Sequence, residues 1–96
     1  MGGATFLVNP DQPDAFTISV AGRNLWALEC LRDNGETGCT PIDHPAPRWS
    51  AYVHRLREMG LVIETMTETH GGPFPGHHAR YVLHSTFRNI ERENER

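Results

Sequence analysis

The chain predicts a small α+β domain, helices first and a two-stranded hairpin last, on three observations. Trp49, Tyr52, Val53, Leu56 and Met59 recur at i, i+3, i+4, i+7 and i+10, which is one continuous apolar stripe of a helix. Gly60 breaks the stripe, and "LVIETMTET" (61–69) follows at once as a β-rich run. A glycine- and proline-rich segment, "HGGPFPGHH" (70–78), separates that run from "ARYVLHS" (79–85), so the two pair as a hairpin. A length of 96 residues fits one domain with a small core.

Taken in order, residues 1–15 are rich in Gly, Pro and Asp and read as a flexible lead-in, with a short extended piece at Thr5–Val8. "FTISV" (16–20) alternates, placing Phe16, Ile18 and Val20 on one side of a strand. "GRNLWALECLRDNG" (22–35) is a helix that Gly22 caps and Gly35 ends. Leu25, Leu28 and Leu31 form one stripe and Trp26 with Cys30 a second, so this helix is covered from two sides. "TPID" (40–43) matches a capping box, with Thr40 as N-cap and Pro41 at the first helical position. Pro45 and Pro47 disfavour helix at His44 and Ala46, so the second helix is about one turn long, with Ile42 as its core anchor. Pro47 starts the third helix, 47–59. Residues 86–96 lose pattern and read as a flexible or weakly helical tail. The domain proper is 16–85, and its layout is that of a winged helix-turn-helix. It has a three-helix bundle with a very short second helix, a C-terminal β-hairpin wing, and an N-terminal strand that joins the wing or covers the bundle.

Composition narrows the function classes. The net charge of −3 is opposite to the basic balance usual in strong nucleic-acid binders. It is unevenly spread: 1–15 carries −2, 89–96 carries −1, and 16–88 is neutral, with seven arginines against seven acids. All nine basic residues are Arg, the better fork for phosphates and guanine edges, although coding bias alone produces the same pattern. No apolar run approaches a membrane span, and "MGGATFLVNPDQPD" lacks the basic and apolar regions of a signal peptide. Cys30 and Cys39 form no CxxC, and a reduced, cytoplasmic setting is the expectation. Six histidines and two cysteines lack the short ligand spacings of zinc sites. No nucleophile elbow, phosphate loop or carboxylate pair is present, so no enzymatic activity and no cofactor are expected.

"RNLWALECLRDNGETGCTPIDHPAPRWSAYVHRLREMGLVIET", followed by "GGPFPGHHARYVLHS", resembles a family of small winged-helix proteins of bacterial and prophage genomes. Arg48, Ser50, Leu56, Arg57, Gly60, Ile63, Tyr81 and Leu83 carry the resemblance, which covers about 22–85. The proline-rich stretch 41–47 departs from it. The resemblance implies a DNA-binding or regulatory role.

With Trp49 centred inward, Ala51, His54, Arg55 and Glu58 face outward, Ser50 and Arg57 flank one edge, and Arg48 flanks the other. Small, polar and cationic side chains on a helix face are what a major groove admits. The expected DNA contacts are therefore Arg48, Ser50, Ala51, His54, Arg55 and Arg57, with His78 and Arg80 reaching from wing 70–80 to the backbone. Mere solvation is the alternative reading of such a face, and Arg55 with Glu58 is an ordinary i, i+3 pair. Phe74, between Pro73 and Pro75, packs on those prolines or docks on a protein partner. A protein-interaction module of the same fold is the rival reading. No two-fold pairing surface is legible.

Overall fold

The computed structural model describes residues 3–46, 48–73 and 75–90. Two α-helices and two separate antiparallel sheets enclose one core. The first sheet is built from β1 (Gly3–Val8), β2 (Phe16–Ala21) and β5 (Phe87–Asn89), in the order β2-β1-β5. The second is the wing, β3 (Ile63–His70) with β4 (Gly76–Leu83).

The lead-in is a strand. Opposed residues of an antiparallel pair share a face, and the register sets Ala4 against Val20, Phe6 against Ile18 and Val8 against Phe16. Their apolar side chains point together into the core, where Phe6 and Val8 are almost wholly buried. The Asn9–Ala15 turn is short because Asn9 (φ 57°) and Asp11 (φ 67°) accept left-handed backbone, which Asn and Asp tolerate best. Part of the expected tail is also ordered: β5 pairs with β1, and Phe87 meets Phe6 edge-on at 5.0 Å. Residues 91–96 lie outside the described residues. β2 neither joins the wing nor merely covers the helices. It is the edge of a sheet whose third strand lies some 70 residues further along the chain.

Helix α1 (Gly22–Asn34) starts directly from β2 and buries Ala27, Leu28 and Leu31, with Leu25, Trp26 and Cys30 half-buried around them. Gly35 receives its end, and a 3₁₀ turn, Gly35–Thr37, leads into Cys39. Cys39 bridges to the wing through a reciprocal backbone pair, its N–H donating to Tyr81 O and Tyr81 N–H donating to Cys39 O, each at 2.9 Å.

The expected second helix is a single turn, so the described residues hold two α-helices rather than a three-helix bundle. The capping interaction does form: the Asp43 N–H donates to Thr40 Oγ1 at 3.0 Å, and the His44 N–H closes one turn onto Thr40 O at 2.9 Å. Pro45 then supplies no N–H and clashes with continued helix, so propagation stops. Ile42, the expected anchor, is 54% exposed. Thr40 and Cys39 beside it are both buried, and the Trp49 Nε1–H donates to His44 O at 2.6 Å.

Helix α2 (Trp49–Glu58) buries Trp49, Tyr52, Val53 and Leu56, with Met59 half-buried at its end. Pro47, the expected first helical residue, lies outside the described residues. Gly60 (φ 105°) makes the corner into β3 and lies against the ring of Phe16, where an added Cβ would sit 2.9 Å from Cζ. Trp49 then stacks on Tyr81 of the wing, 5.8 Å between centroids and 21° between planes. No helix among the described residues is long and apolar enough to cross a membrane. Both cysteines are free thiols, and burial, reinforced by neighbouring Cys30, pushes the Cys39 pKa up to about 11.

Candidate nucleic-acid interface

Helical periodicity puts Arg48, Ser50, His54 and Arg55 of α2 in solvent and leaves Ala51 half-buried among them. Glu58 sits on the same face and bridges two of these groups. The Arg55 Nη1–H donates to Glu58 Oε1 at 3.1 Å, and His54 Nε2 lies 3.2 Å from Glu58 Oε2. The i, i+3 pair anticipated from the sequence is therefore present. It is solvent-exposed and weak, worth a few tenths of a kcal/mol, so an incoming phosphate can replace the carboxylate. The Arg48 carbonyl accepts from the Ala51 and Tyr52 N–H groups, while its guanidinium has no hydrogen-bond or ion-pair partner among the described residues.

Three of the eight expected contact residues spend their polar groups inside the protein. Arg57 wraps the α2–β3 corner, donating Nε–H and Nη2–H to Ile63 O and Nη2–H to Thr65 Oγ1. Arg80 donates Nε–H and Nη2–H to Glu68 and Nη1–H to Thr37 O at 2.8 Å. His78 has a side chain only 13% exposed, with Nε2 at 3.1 Å from Glu68 Oε1 and Nδ1 at 2.9 Å from His70 Nδ1. The carboxylate only accepts, so Nε2–H of His78 donates to Glu68 Oε1.

Strand parity explains why these wing residues face away from α2. Tyr81 stacks on Trp49, so its face of the hairpin is the one beside α2. The register opposes Thr65 to Tyr81, Thr67 to Ala79 and Thr69 to His77, and these residues share that face. Glu68, His78 and Arg80 fall on the other face, towards the 3₁₀ turn. The wing surface continuous with α2 thus presents three exposed threonines and exposed His77, not Arg80 and His78. The signal was available: residues two apart from Tyr81 share its side, and Arg80 and His78 do not. Phe74 lies outside the described residues.

The far face of the wing is an electrostatic clamp. Hydrogen bonds from Arg80, with smaller support from His78, hold the Glu68 carboxyl below its ordinary value of 4.5, and the same pairing raises Arg80. A depressed carboxylate contributes stability that is complete above the ordinary value and is lost as pH falls through the depressed one. Glu68→Gln is therefore expected to lower the urea midpoint at pH 7, with the gap to wild type narrowing in acid, below the ordinary carboxylate value. Urea melts at neutral and acid pH check this. A gap that persists unchanged in acid would show that Glu68 acts through packing alone.

Sequence reading passed over Arg23. Its guanidinium carbon lies 4.7 Å above the Trp26 ring, and its Nε–H donates to the Tyr52 hydroxyl at 3.3 Å. The i, i+3 spacing of Arg23 and Trp26 was a local signal; the Tyr52 contact was not. Among the described residues no group of three His, Cys, Asp or Glu side chains is placed to hold a metal ion.

A family model described as a winged helix domain matches residues 17–93. No curated protein and no solved structure matches the chain. Domains of this kind are generally DNA-binding and typically non-enzymatic. The match runs from the second strand through both helices and the whole wing to β5, and on it the chain belongs to the winged helix domain family.

Proposed function

We propose that the protein binds duplex DNA, sequence-specifically or architecturally, as a transcriptional regulator or accessory factor of phage or prophage origin. The exposed face of α2 enters the major groove, with Arg48 and Arg55 on phosphate or guanine edges, Ser50 and His54 on phosphate or base, and Ala51 allowing close approach. Thr65, Thr67, Thr69 and His77 lie along the backbone beside it. Arg57, His78 and Arg80 act indirectly, Arg57 by fixing the angle between helix and wing and the other two by stiffening the hairpin. The observation that carries this reading is Arg48, an exposed cation without an acidic partner among the described residues, at the outer edge of the helix. The rival, a protein-interaction module, draws support from Glu58, which offsets Arg55 and His54 on that same face.

Titration of labelled protein with random duplex at about 50 mM and 200 mM salt separates the two. Resonance shifts confined to 48–58 and to the threonine face of the wing, fading with salt, are the expected result. The salt slope will be shallow, since few phosphates are neutralised. Silence at low salt favours the protein-interaction reading.

A further inference from the structure

We propose that Arg23 is a second phosphate-gripping residue, placed on the edge of α2 opposite the wing; this rests on the duplex-DNA reading above. Three features of the structure lead to it. Arg23 is exposed and, like Arg48, Arg57 and Arg88, has no acidic partner among the described residues, whereas Arg32, Arg55 and Arg80 each pair with a carboxylate. Its guanidinium is nevertheless held in place, 4.7 Å from the Trp26 centroid and 5.9 Å from that of Tyr52, with Nε–H bonded to the Tyr52 hydroxyl. The Trp26 contact and the Nε–H bond leave both Nη groups without a hydrogen-bond partner among the described residues. The ordering cost of a long cationic side chain has thus been met before any ligand arrives.

The third feature is position. Arg48, Tyr52 and Arg55 follow one another at i, i+4 and i+7 along one edge of α2, while Arg57, on the opposite edge, bonds to the wing strand. Arg23 touches Tyr52 and so stands beside the first edge. The outward face of α2 is therefore bracketed, by the wing on one side and by Arg23 with Arg48 on the other. A helix of about 10–12 Å diameter fills a major groove about 12 Å wide, so groups on its two flanks meet the two backbones that border the groove. In helix-turn-helix proteins the helix before the recognition helix crosses the backbone. Here that segment is a single turn ending at Pro45, and the start of α1 brings a prepaid cation to the same flank instead. The ligand is a non-bridging phosphodiester oxygen of the flanking strand, accepting from the Nη edge of Arg23.

The test is duplex affinity by fluorescence anisotropy over a salt series, for wild type, Arg23→Gln and Arg23→Lys, with thermal melts alongside. Arg23→Gln should bind about 5-fold more weakly on every duplex sequence, with the slope of log K against log salt smaller by about one. Arg23→Lys should keep the slope and lose part of the affinity, because the charge stays but the planar fork goes. A residue that merely props Tyr52 would lower the melting temperature without changing the slope. Wild-type affinity and slope in Arg23→Gln overturn the inference and leave DNA binding standing. Failure of the wild type itself to bind at about 50 mM salt overturns both.

Discussion

Trp49→Ala is expected to cost about 3–5 kcal/mol, the upper range for removing a buried ring, and to lower the melting temperature by about 15–30 °C. Trp49 is 2% exposed and is where the two halves of the domain meet. It stacks on Tyr81 of the wing at 5.8 Å and meets Trp26 of α1 at 5.4 Å and Tyr52 at 6.4 Å. Its Nε1–H also satisfies His44 O, so truncation leaves both a cavity and a carbonyl without its donor. A domain of this length has a total stability of about 5–14 kcal/mol, and the loss is a large share of it. Trp49→Phe keeps one aromatic ring but loses the N–H and part of the buried volume, and should cost about 1–3 kcal/mol. Thermal and urea melts measure both. If Trp49→Ala melted within a few degrees of wild type, the aromatic seam would not be what joins helix to wing.

Gly38→Ala is expected to cost about 2–4 kcal/mol for a different reason. Gly38 has φ 73° and ψ −173°, a region that only glycine occupies without strain. A Cβ there would lie 2.9 Å from Val82 Cγ2 and closer still to the carbonyl oxygen of Tyr81. That oxygen accepts from the Cys39 N–H, so the backbone must give way where the interhelical segment is stitched to β4. Hydrogen exchange at the Cys39 and Tyr81 amides should accelerate well beyond the global change. Unchanged protection at both amides would show that the bridge tolerates a side chain.

How much of this could be read beforehand follows from the range of each interaction. Helix α2 was legible because its apolar stripe repeats locally and Gly60 marks its end. The wing was legible from two β-rich runs around a glycine-proline tip. β1 was largely hidden by its Gly-, Pro- and Asp-rich surroundings and by a partner, β5, at the other end of the chain. The second helix had a correct start signal, and Thr40 makes the expected cap. Pro45 overrode it within one turn because a missing N–H outweighs a good cap. The outward residues of α2 followed from the same periodicity that buried Trp49. Arg80 and His78 were expected to reach the backbone from the wing, and the structure pairs both with Glu68 on the hairpin face away from Tyr81.

By itself the sequence determined the order of elements, the buried stripe of α2 and the residues that stripe turns outward, because these depend on neighbours within one or two turns or strand repeats. Only the tertiary structure decided which cations are spent and which remain available. Glu68 takes Arg80, the Ile63 carbonyl takes Arg57, and Trp26 and Tyr52, from different helices, hold Arg23. Charge is a property of a residue, but its availability depends on partners that folding brings together from distant parts of the chain.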